Sequence, residues 1–255
     1  MIKYTHDTAL TEASRCLMCE DAPCHGGCPS SVNPKLFIRK IRFADLAGAA
    51  KMLRNANILA GSTAYICPCL STCGSKCTAH ELDRPINISA LQRFVMDWER
   101  ENGLAEINKA PANGRRIAVI GSGPAGLACS AWLAQSGYQV EIFERHDVAG
   151  GQLRLSIPEF RLPAKVIDHE VAFVKKLGVQ IQLNSEIKDI KKLKHDGFDA
   201  VYLSPGLMGS RRLGIAGEEK KGVYQALDFF DPFEKGRKNQ SWQKGSCRRR
   251  RRHGD

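Results

Sequence analysis

Apolar residues recur at intervals of three and four along residues 1–110, a spacing typical of amphipathic helices. Three helices are predicted from this pattern. The residues that carry them are Leu36, Phe37, Lys40 and Ile41 after Pro34; Leu46, Ala49, Ala50 and Leu53; and Leu91, Phe94, Val95 and Trp98, with Ser89 as the N-terminal cap. The pattern stops at residues 109–114, where Ala, Pro, Asn and Gly predict a linker.

A different pattern begins at Arg116. Residues 117–120 form a short continuous apolar run, as in a strand that is covered on both faces. A glycine-rich turn, a helical stretch over residues 124–135 and a second apolar run over residues 140–143 complete a βαβ-type opening. Further along, the pattern predicts a helix at 163–177 and strands at 179–183 and 200–203. We therefore expect an α-helical domain over residues 1–110 and an α/β Rossmann-like domain over residues 115–236.

Composition adds limits to this division. The chain has 255 residues, 43% hydrophobic and 25% charged, as in soluble globular proteins of one large or two ordinary domains. Its net charge is +11, but residues 237–255 hold eight Lys or Arg and one Asp, which leaves +4 for the remainder. A nucleic-acid partner would depend on that tail alone. No apolar run reaches eighteen residues and no apolar segment follows the N-terminus, so we expect a cytoplasmic protein without a membrane partner.

Eight of the ten cysteines fall between Cys16 and Cys77. In a chain for which we expect no secretory leader, this density favours metal or cluster ligands over a disulfide framework. Tetrahedral zinc and a [4Fe–4S] cluster both take four thiolates, so the spacing allows both, although a Cys followed by Pro is typical of ferredoxins. The two groups are Cys16-x2-Cys19-x4-Cys24-x3-Cys28-Pro29 and Cys67-Pro68-Cys69-x3-Cys73-x3-Cys77.

The turn after the first strand of the second half is Gly121-Ser122-Gly123-Pro124-Ala125-Gly126, and Glu144 ends the next strand 18 residues later. This context makes GxGxxG a dinucleotide-binding fingerprint. Gly121 permits the tight turn, Gly123 lets the backbone approach a pyrophosphate, and Gly126 allows close packing of helix on strand. The carboxylate of Glu144 is predicted to accept hydrogen bonds from the ribose. The turn itself suits flavin or nicotinamide, but the glycine pair at 150–151 favours an extended ligand such as FAD.

Five motifs occur together and in order. They are the two cysteine groups, the segment 85–94 containing Pro85-Ile86-Asn87-Ile88 and Leu91-Gln92-Arg93-Phe94, the GSGPAG turn, and Ile157-Pro158-Glu159-Phe160-Arg161-Leu162-Pro163. In this combination, residues 10–236 resemble the N-terminal half of the glutamate synthase small subunit family, and within it most closely the NAD-dependent dihydropyrimidine dehydrogenase branch.

The resemblance implies an α-helical domain with two [4Fe–4S] clusters, followed by FAD and NAD(P)H domains of the disulfide-reductase type. One cluster would be held by Cys16, Cys19, Cys24 and Cys77, and the other by Cys28, Cys67, Cys73 and Gln92. A glutamine at the position of Gln92 is the pattern of the dihydropyrimidine branch, whereas glutamate-synthase relatives often have Glu there. The alternative to a ligand role is that Gln92 is an ordinary residue on a helix surface. Cys69 is then surplus and is expected to be a small buried residue.

The resemblance also implies a set of FAD contacts. They are Gly121, Gly123, Pro124, Ala125, Gly126, Glu144, Gly151, Gln152, Leu153, Arg161 and Ile187, although a lone Arg such as Arg161 is more often a solvated charge. One departure is visible, because Ser204-Pro205-Gly206 stands where the family often has Ala-Thr-Gly.

The function implied is electron transfer. Reducing equivalents would enter from NAD(P)H, pass through FAD and the two clusters, and leave to a partner catalytic subunit that carries FMN. No side chain of this chain is predicted to act as a general acid or base. A glutamate synthase small-subunit-like protein, with a large subunit as partner, is the alternative within the same class, and a non-catalytic zinc- and nucleotide-binding module is the alternative outside it.

The family pattern breaks near Arg237. A second Rossmann turn for NAD(P)H is expected there, but the chain continues into a run of five arginines, 248–252. Shifting the reading frame by one nucleotide permits a strand followed by Gly-Gly-Gly-Asp-Thr-Ala from Trp242 onward. We therefore expect residues 237–255 to be frameshifted and disordered, the NAD(P)H domain to be missing, and the isolated chain to be inactive with NAD(P)H. A genuine basic tail that binds nucleic acid or an acidic surface is the alternative.

Overall fold

The computed structural model describes residues 3–103, 105–207 and 209–230. Its first half is helical, as predicted. The helices are α1 (His6–Ser14), α2 (Pro23–Gly26), α3 (Pro34–Arg42), α4 (Leu46–Ala56), α5 (Ala60–Ile66) and α6 (Ile88–Asn102). Three 3₁₀ turns, at Cys69–Ser71, Cys73–Lys76 and Thr78–Glu81, lie between α5 and α6.

Side chains just before the helices fix where several of them begin. Asn33 accepts a hydrogen bond from the backbone of Leu36 at 3.3 Å and is followed by Pro34, whose fixed φ suits a first helical turn. Asp45 accepts one from Gly48 at 2.8 Å at the start of α4. The predicted cap at Ser89 is wrong, because Asn87 caps α6 instead and Ser89 already lies in the first turn. An Asn two residues earlier competes with Ser for this role and is as good a cap.

The predicted helix faces form the core of the helical half. Phe37, Leu53, Leu91 and Val95 are fully buried there, while Phe94 and Trp98 are half-buried at its edge. The predicted face of α3 is partly wrong. Leu36 is exposed and Ile38 takes its place in the core, since the buried stripe of α3 faces α1 and α4.

The second half is a four-stranded parallel sheet with the order β3-β2-β1-β4, as expected for a Rossmann-like fold. Adjacent central strands are in register at Val119 and Ile142. The predicted strands and helices are confirmed to within about two residues at each end. The elements are β1 (Arg116–Ile120), α7 (Pro124–Gln135), β2 (Gln139–Phe143), α8 (Gln152–Leu155), α9 (Ala164–Lys176), β3 (Gln180–Gln182), α10 (Ile190–His195), β4 (Ala200–Leu203) and α11 (Ala226–Phe230).

The segment between the two halves is attached to the sheet domain. The backbone of Ala110 donates to Gln135 at 2.7 Å and that of Asn113 donates to Gly137 at 3.0 Å. The predicted linker at 109–114 is therefore ordered along the end of α7, so it is a structured connection and not a free spacer.

The helical half packs directly against the sheet domain. Ile58 and Leu59 before α5, and Ala64 and Tyr65 within it, are buried in the same apolar cluster as Phe173 of α9. Helix α5 leads straight into Cys67, so the packing of α5 on α9 fixes the cysteine-rich turns relative to the sheet.

A buried ionic group crosses this interface. Arg54 of α4 lies between Glu99 of α6 and Glu170 of α9, and all three residues are 0% exposed. The Arg54 Nη2 is 2.7 Å from Glu99 Oε2, and its Nη1 pairs with Glu170. Glu170 also accepts from the backbone of Ser62 at 2.7 Å, and His169 Nε2 lies 3.2 Å from Glu99 Oε2. Two buried carboxylates thus share one guanidinium across the domain boundary.

The pKa of Glu99 reflects this arrangement. Burial would raise its pKa, but hydrogen bonds with His169 and Arg54 outweigh burial and lower the pKa to about 2. Because the folded-state pKa of Glu99 lies below its ordinary value, the ionised carboxylate stabilises the fold at every pH above that ordinary value. This stabilisation is lost as the pH falls towards 2.

No helix in the described ranges has both the length and the apolar character that a membrane crossing requires. Residues 237–255, for which a frameshift and disorder are predicted, lie outside the described residues.

Candidate cofactor sites

Four cysteines from both sequence groups line one cavity of the helical half. Cys16 follows α1, Cys19 lies in the next loop, Cys24 is on α2, and Cys77 follows the second 3₁₀ turn. The loop is held by Lys35, whose Nζ donates to the carbonyl oxygens of Cys19 at 2.9 Å and of Glu20 at 3.0 Å. We call this the first cysteine cavity; its lining contains the four residues predicted to hold one cluster.

Two thiols of this cavity, those of Cys16 and Cys24, have raised pKa values. Burial, together with the neighbouring Cys16 and Cys77, raises the pKa of Cys24 to about 11, and burial also raises the pKa of Cys16. Metal ions bind the thiolate, so loading this cavity must displace protons. The positive charge of bound iron would offset the repulsion between the thiolates.

The other predicted ligands line a second cavity of about 300 Å³. Its walls include Cys28, Cys67, Cys73 and Gln92, and also Cys69. We call this the second cysteine cavity. The Gln92 amide nitrogen donates to the carbonyl of Ala60 at 2.7 Å and to the Thr63 hydroxyl at 3.1 Å. With its nitrogen held by α5, Gln92 presents its Oε1 as the atom available to a ligand.

The donor chemistry of the two cavities fits a cluster bound by soft thiolates. Within the ranges that the structure describes, no three Cys, His, Asp or Glu side chains converge on one point as ligands of a single ion do. The four thiolates of a cubane each bind a different iron, so such a cluster needs ligands around a shared cavity. In both cases the predicted ligands lie around a shared cavity, which has a volume of about 30 Å³ in the first and about 300 Å³ in the second.

The dinucleotide turn lines a third cavity of about 270 Å³ at the carboxyl ends of β1, β2 and β4, where parallel sheets bind ligands. Three predicted contacts lie elsewhere: Gly126 packs inside α7 against Gly121, Leu153 is buried in the core, and Arg161 is exposed. The predicted contacts that line it are Gly121, Gly123, Pro124, Ala125, Glu144, Gly151, Gln152 and Ile187.

The glycines of the turn differ in what surrounds them. A Cβ at Gly126 would overlap the carbonyl oxygen of Gly121, so this glycine serves packing. At Gly123 the nearest atom to a Cβ is the Cα of Gly151, 3.9 Å away, so the side of Gly123 that faces the cavity is open. Gly151 has a φ of +51°, and a Cβ there would lie 2.6 Å from the Gly123 Cα. The backbones at Gly123 and Gly151 thus approach each other closely. The space beside them, which we call the cradle, is open because neither residue has a side chain.

Glu144 is positioned by the turn that it faces. Its Oε2 accepts from the backbone of Ser122 at 2.8 Å and from the Ser122 hydroxyl at 2.6 Å, and its Oε1 accepts from the backbone of His146 at 3.0 Å. The buried carboxylate therefore ties β2 to the glycine turn at the edge of the cavity. Sequence reasoning identified Glu144 but missed Ser122, because the x positions of GxGxxG carry no pattern of their own.

Ser204 is a second residue whose role the sequence did not reveal. Its hydroxyl donates to the carbonyl of Ile120 at 2.9 Å, and it lies 3.1 Å from that of Gly121, so it holds the start of the turn. Ser204, Pro205 and Gly206 all line the cavity. The departure from the family's Ala-Thr-Gly therefore leaves a hydroxyl at the carboxyl end of β4, one position earlier in the chain.

Comparison with known proteins supports the division into a helical half and a Rossmann-like half. A family model described as dihydropyrimidine dehydrogenase domain II, 4Fe-4S cluster, matches residues 1–104, and one described as an NAD(P)-binding Rossmann-like domain matches residues 119–181. The NAD-dependent dihydropyrimidine dehydrogenase subunit PreT of Escherichia coli strain K12 is 41% identical over 230 residues, or 89% of this chain. The PreT subunit of Salmonella typhimurium is 38% identical over the same length.

The chain spans 55% of the length of these relatives. Among solved structures, a 2-naphthoyl-CoA reductase complex is 23% identical with a TM-score of 0.43, covering 78% of this chain and 31% of that one. Over the part of the relatives that it spans, the chain has a helical 4Fe-4S domain followed by a Rossmann-like NAD(P)-binding domain, and it is similar there to the NAD-dependent dihydropyrimidine dehydrogenase subunit PreT.

Proposed function

We propose that this chain is the electron-transfer part of a dihydropyrimidine dehydrogenase-like enzyme, in which electrons that originate from NAD(P)H pass through FAD and two [4Fe–4S] clusters of this chain to a partner catalytic subunit. The observation that carries the proposal is the division of the eight predicted ligands. Four line the first cysteine cavity and four the second, within one domain that packs on the dinucleotide-binding sheet.

The residues of the third cavity suit a dinucleotide with a pyrophosphate. Gly123 is the N-terminal cap of α7, whose free backbone N–H groups and dipole favour negative charge. Gly151 and Gly123 keep the cradle open, and Glu144 is held at its edge to accept hydrogen bonds from a ribose. A flavin accepts a hydride and releases electrons singly, which is the chemistry needed between a nicotinamide and iron–sulfur clusters.

The helical domain then serves as the outlet for electrons. Cys16, Cys19, Cys24 and Cys77 would hold one cluster, and Cys28, Cys67, Cys73 and Gln92 the other. The substrate chemistry belongs to the partner, which we propose carries FMN, as the resemblance implies. The similarity to PreT favours a pyrimidine-reducing partner over a glutamate synthase large subunit.

Anaerobic purification followed by reconstitution with iron, sulfide and FAD tests this proposal. We expect a brown protein with about eight iron atoms, about eight acid-labile sulfides and about one FAD per chain. A colourless protein that retains stoichiometric zinc and binds no flavin would contradict the proposal and favour a zinc- and nucleotide-binding module.

Replacing Cys19 with alanine should remove about four iron atoms per chain, because a cubane that loses one of its thiolates is destabilised. Cys129→Ala is the matched control, since Cys129 lies on α7 outside both cysteine cavities. Iron and sulfide analysis of both proteins checks the prediction. Equal iron in the two variants would exclude Cys19 as a ligand.

A further inference from the structure

The second cysteine cavity has one potential ligand too many. Cys28, Cys67, Cys69, Cys73 and Gln92 all line it, whereas a [4Fe–4S] cluster takes four ligands. Cys69 and Cys73 stand apart from the others, because their sulfurs lie 3.6 Å from each other and their residues are only 8% and 7% exposed. Cys69 therefore lies inside the cavity beside a predicted ligand.

We propose that Cys69 is an exchangeable ligand of the second cluster, able to take the position on the same iron that Cys73 occupies. The inference rests on the proposed function. Thiolates that bind different irons of a cubane lie at different corners of it. Two sulfurs that are in contact therefore lie at the same corner and can reach the same iron. A change of side-chain rotamer in either residue is then enough to exchange one sulfur for the other.

The chain is built to keep Cys69 in this place. Cys69 and Cys73 begin successive 3₁₀ turns, and Gly74 lies against the first of them. A Cβ at Gly74 would lie 2.8 Å from the carbonyl oxygen of Cys69 and 3.2 Å from its sulfur. The missing side chain of Gly74 thus leaves the room in which Cys69 approaches Cys73.

The exchange is balanced without an oxidant or a reductant. One iron–sulfur bond breaks and another forms, and the incoming thiol gives up its proton as the departing thiolate takes one up. The oxidation state of the cluster is unchanged. The consequence for the protein is that the second cluster survives the loss, oxidation or alkylation of Cys73.

Iron and sulfide contents of four reconstituted variants test the inference. Alanine is used because a serine oxygen could itself bind iron. We expect about eight irons in Cys69→Ala and in Cys73→Ala, but about four in the Cys69→Ala/Cys73→Ala double variant. Cys28→Ala is the control within the same cavity, because the sulfur–sulfur contact seen among the described residues of this cavity joins Cys69 and Cys73 and does not include Cys28. This variant should retain about four irons.

The reduced clusters provide a second readout by electron paramagnetic resonance. Cys73→Ala should keep the signal of the second cluster with altered g-values, and the double variant should lose it. Two measurements on each preparation serve as folding controls. Bound FAD shows that the sheet domain is folded, and the four irons of the first cysteine cavity show that the helical domain is folded.

The outcomes separate the two hypotheses. A wild type with about eight irons and a Cys73→Ala variant with about four would overturn the exchange and leave the proposed function intact. A wild type that holds four irons or fewer would overturn the proposed function, and the exchange with it.

Discussion

Replacing Arg54 with leucine is expected to lower the free energy of unfolding by about 3–5 kcal/mol. Arg54 is the cation shared by Glu99 and Glu170, and all three residues are buried. Leucine would fill part of the space but would leave two carboxylates in the interior without their counter-charge. The cost arises from those uncompensated charges more than from the lost attraction.

Urea titration followed by circular dichroism measures this effect. Lys40→Leu is the matched control, since Lys40 pairs with Asp45 at 2.6 Å on the surface, where an ion pair contributes less than about 1 kcal/mol. The triple variant Arg54→Leu/Glu99→Gln/Glu170→Gln should recover part of the loss, because neutral amides remove the buried charge and keep acceptors for Ser62 and Ala105. A loss below about 1 kcal/mol for Arg54→Leu would show that water reaches the carboxylates.

The second half of the fold was the more predictable from sequence. Each of its main elements has a local signature: an apolar run for a covered strand, glycines at the turn, and an apolar period for the helix. The prediction for α7 at 124–135 matches the structure at both ends. These patterns are readable in the sequence because a parallel sheet buries both faces of its central strands, so nearly every residue of such a strand must be apolar.

The helical half was less predictable. Helix α2 has only four residues, and its cap, Ala22, has a φ of +41° and makes no side-chain hydrogen bond, so no capping signal marks it. Helix α5 is short and packs on α9, which lies about a hundred residues further along the chain. Tertiary contacts therefore stabilise α5, and its own sequence shows no clear pattern of apolar residues at helical spacing. Neither was predicted.

The grouping of the cysteines shows the same limit for the sites. Cys28 belongs to the first sequence group but lines the second cavity, and Cys77 belongs to the second group but lines the first. Spacing indicates that ligands are present but not which ones converge, because the crossing depends on how α2 packs on the second 3₁₀ turn. The resemblance to a family supplied the division that the spacing could not.

Replacing Gly123 with valine should reduce bound FAD from about one per chain to nearly none while leaving the fold intact. The backbone there has φ −69° and ψ −179°, which valine adopts readily, and among the described residues beyond its chain neighbours the nearest atom to a Cβ is the Gly151 Cα at 3.9 Å. The side chain would therefore extend into the cradle where a pyrophosphate must approach the backbone.

Gly126→Ala separates this effect from a general loss of structure. Its Cβ would overlap the carbonyl oxygen of Gly121 and approach the Ser204 hydroxyl at 2.8 Å, so it should cost about 1–3 kcal/mol of stability through overpacking. Flavin titration and thermal unfolding of both variants check the pair. Because the valine side chain would occupy the ligand's space and the alanine methyl group the protein's own, Gly123→Val should lose flavin while its flavin-free form melts at the same temperature as the flavin-free parent. Gly126→Ala should melt earlier. Full flavin occupancy in a folded Gly123→Val protein would place the dinucleotide outside this turn.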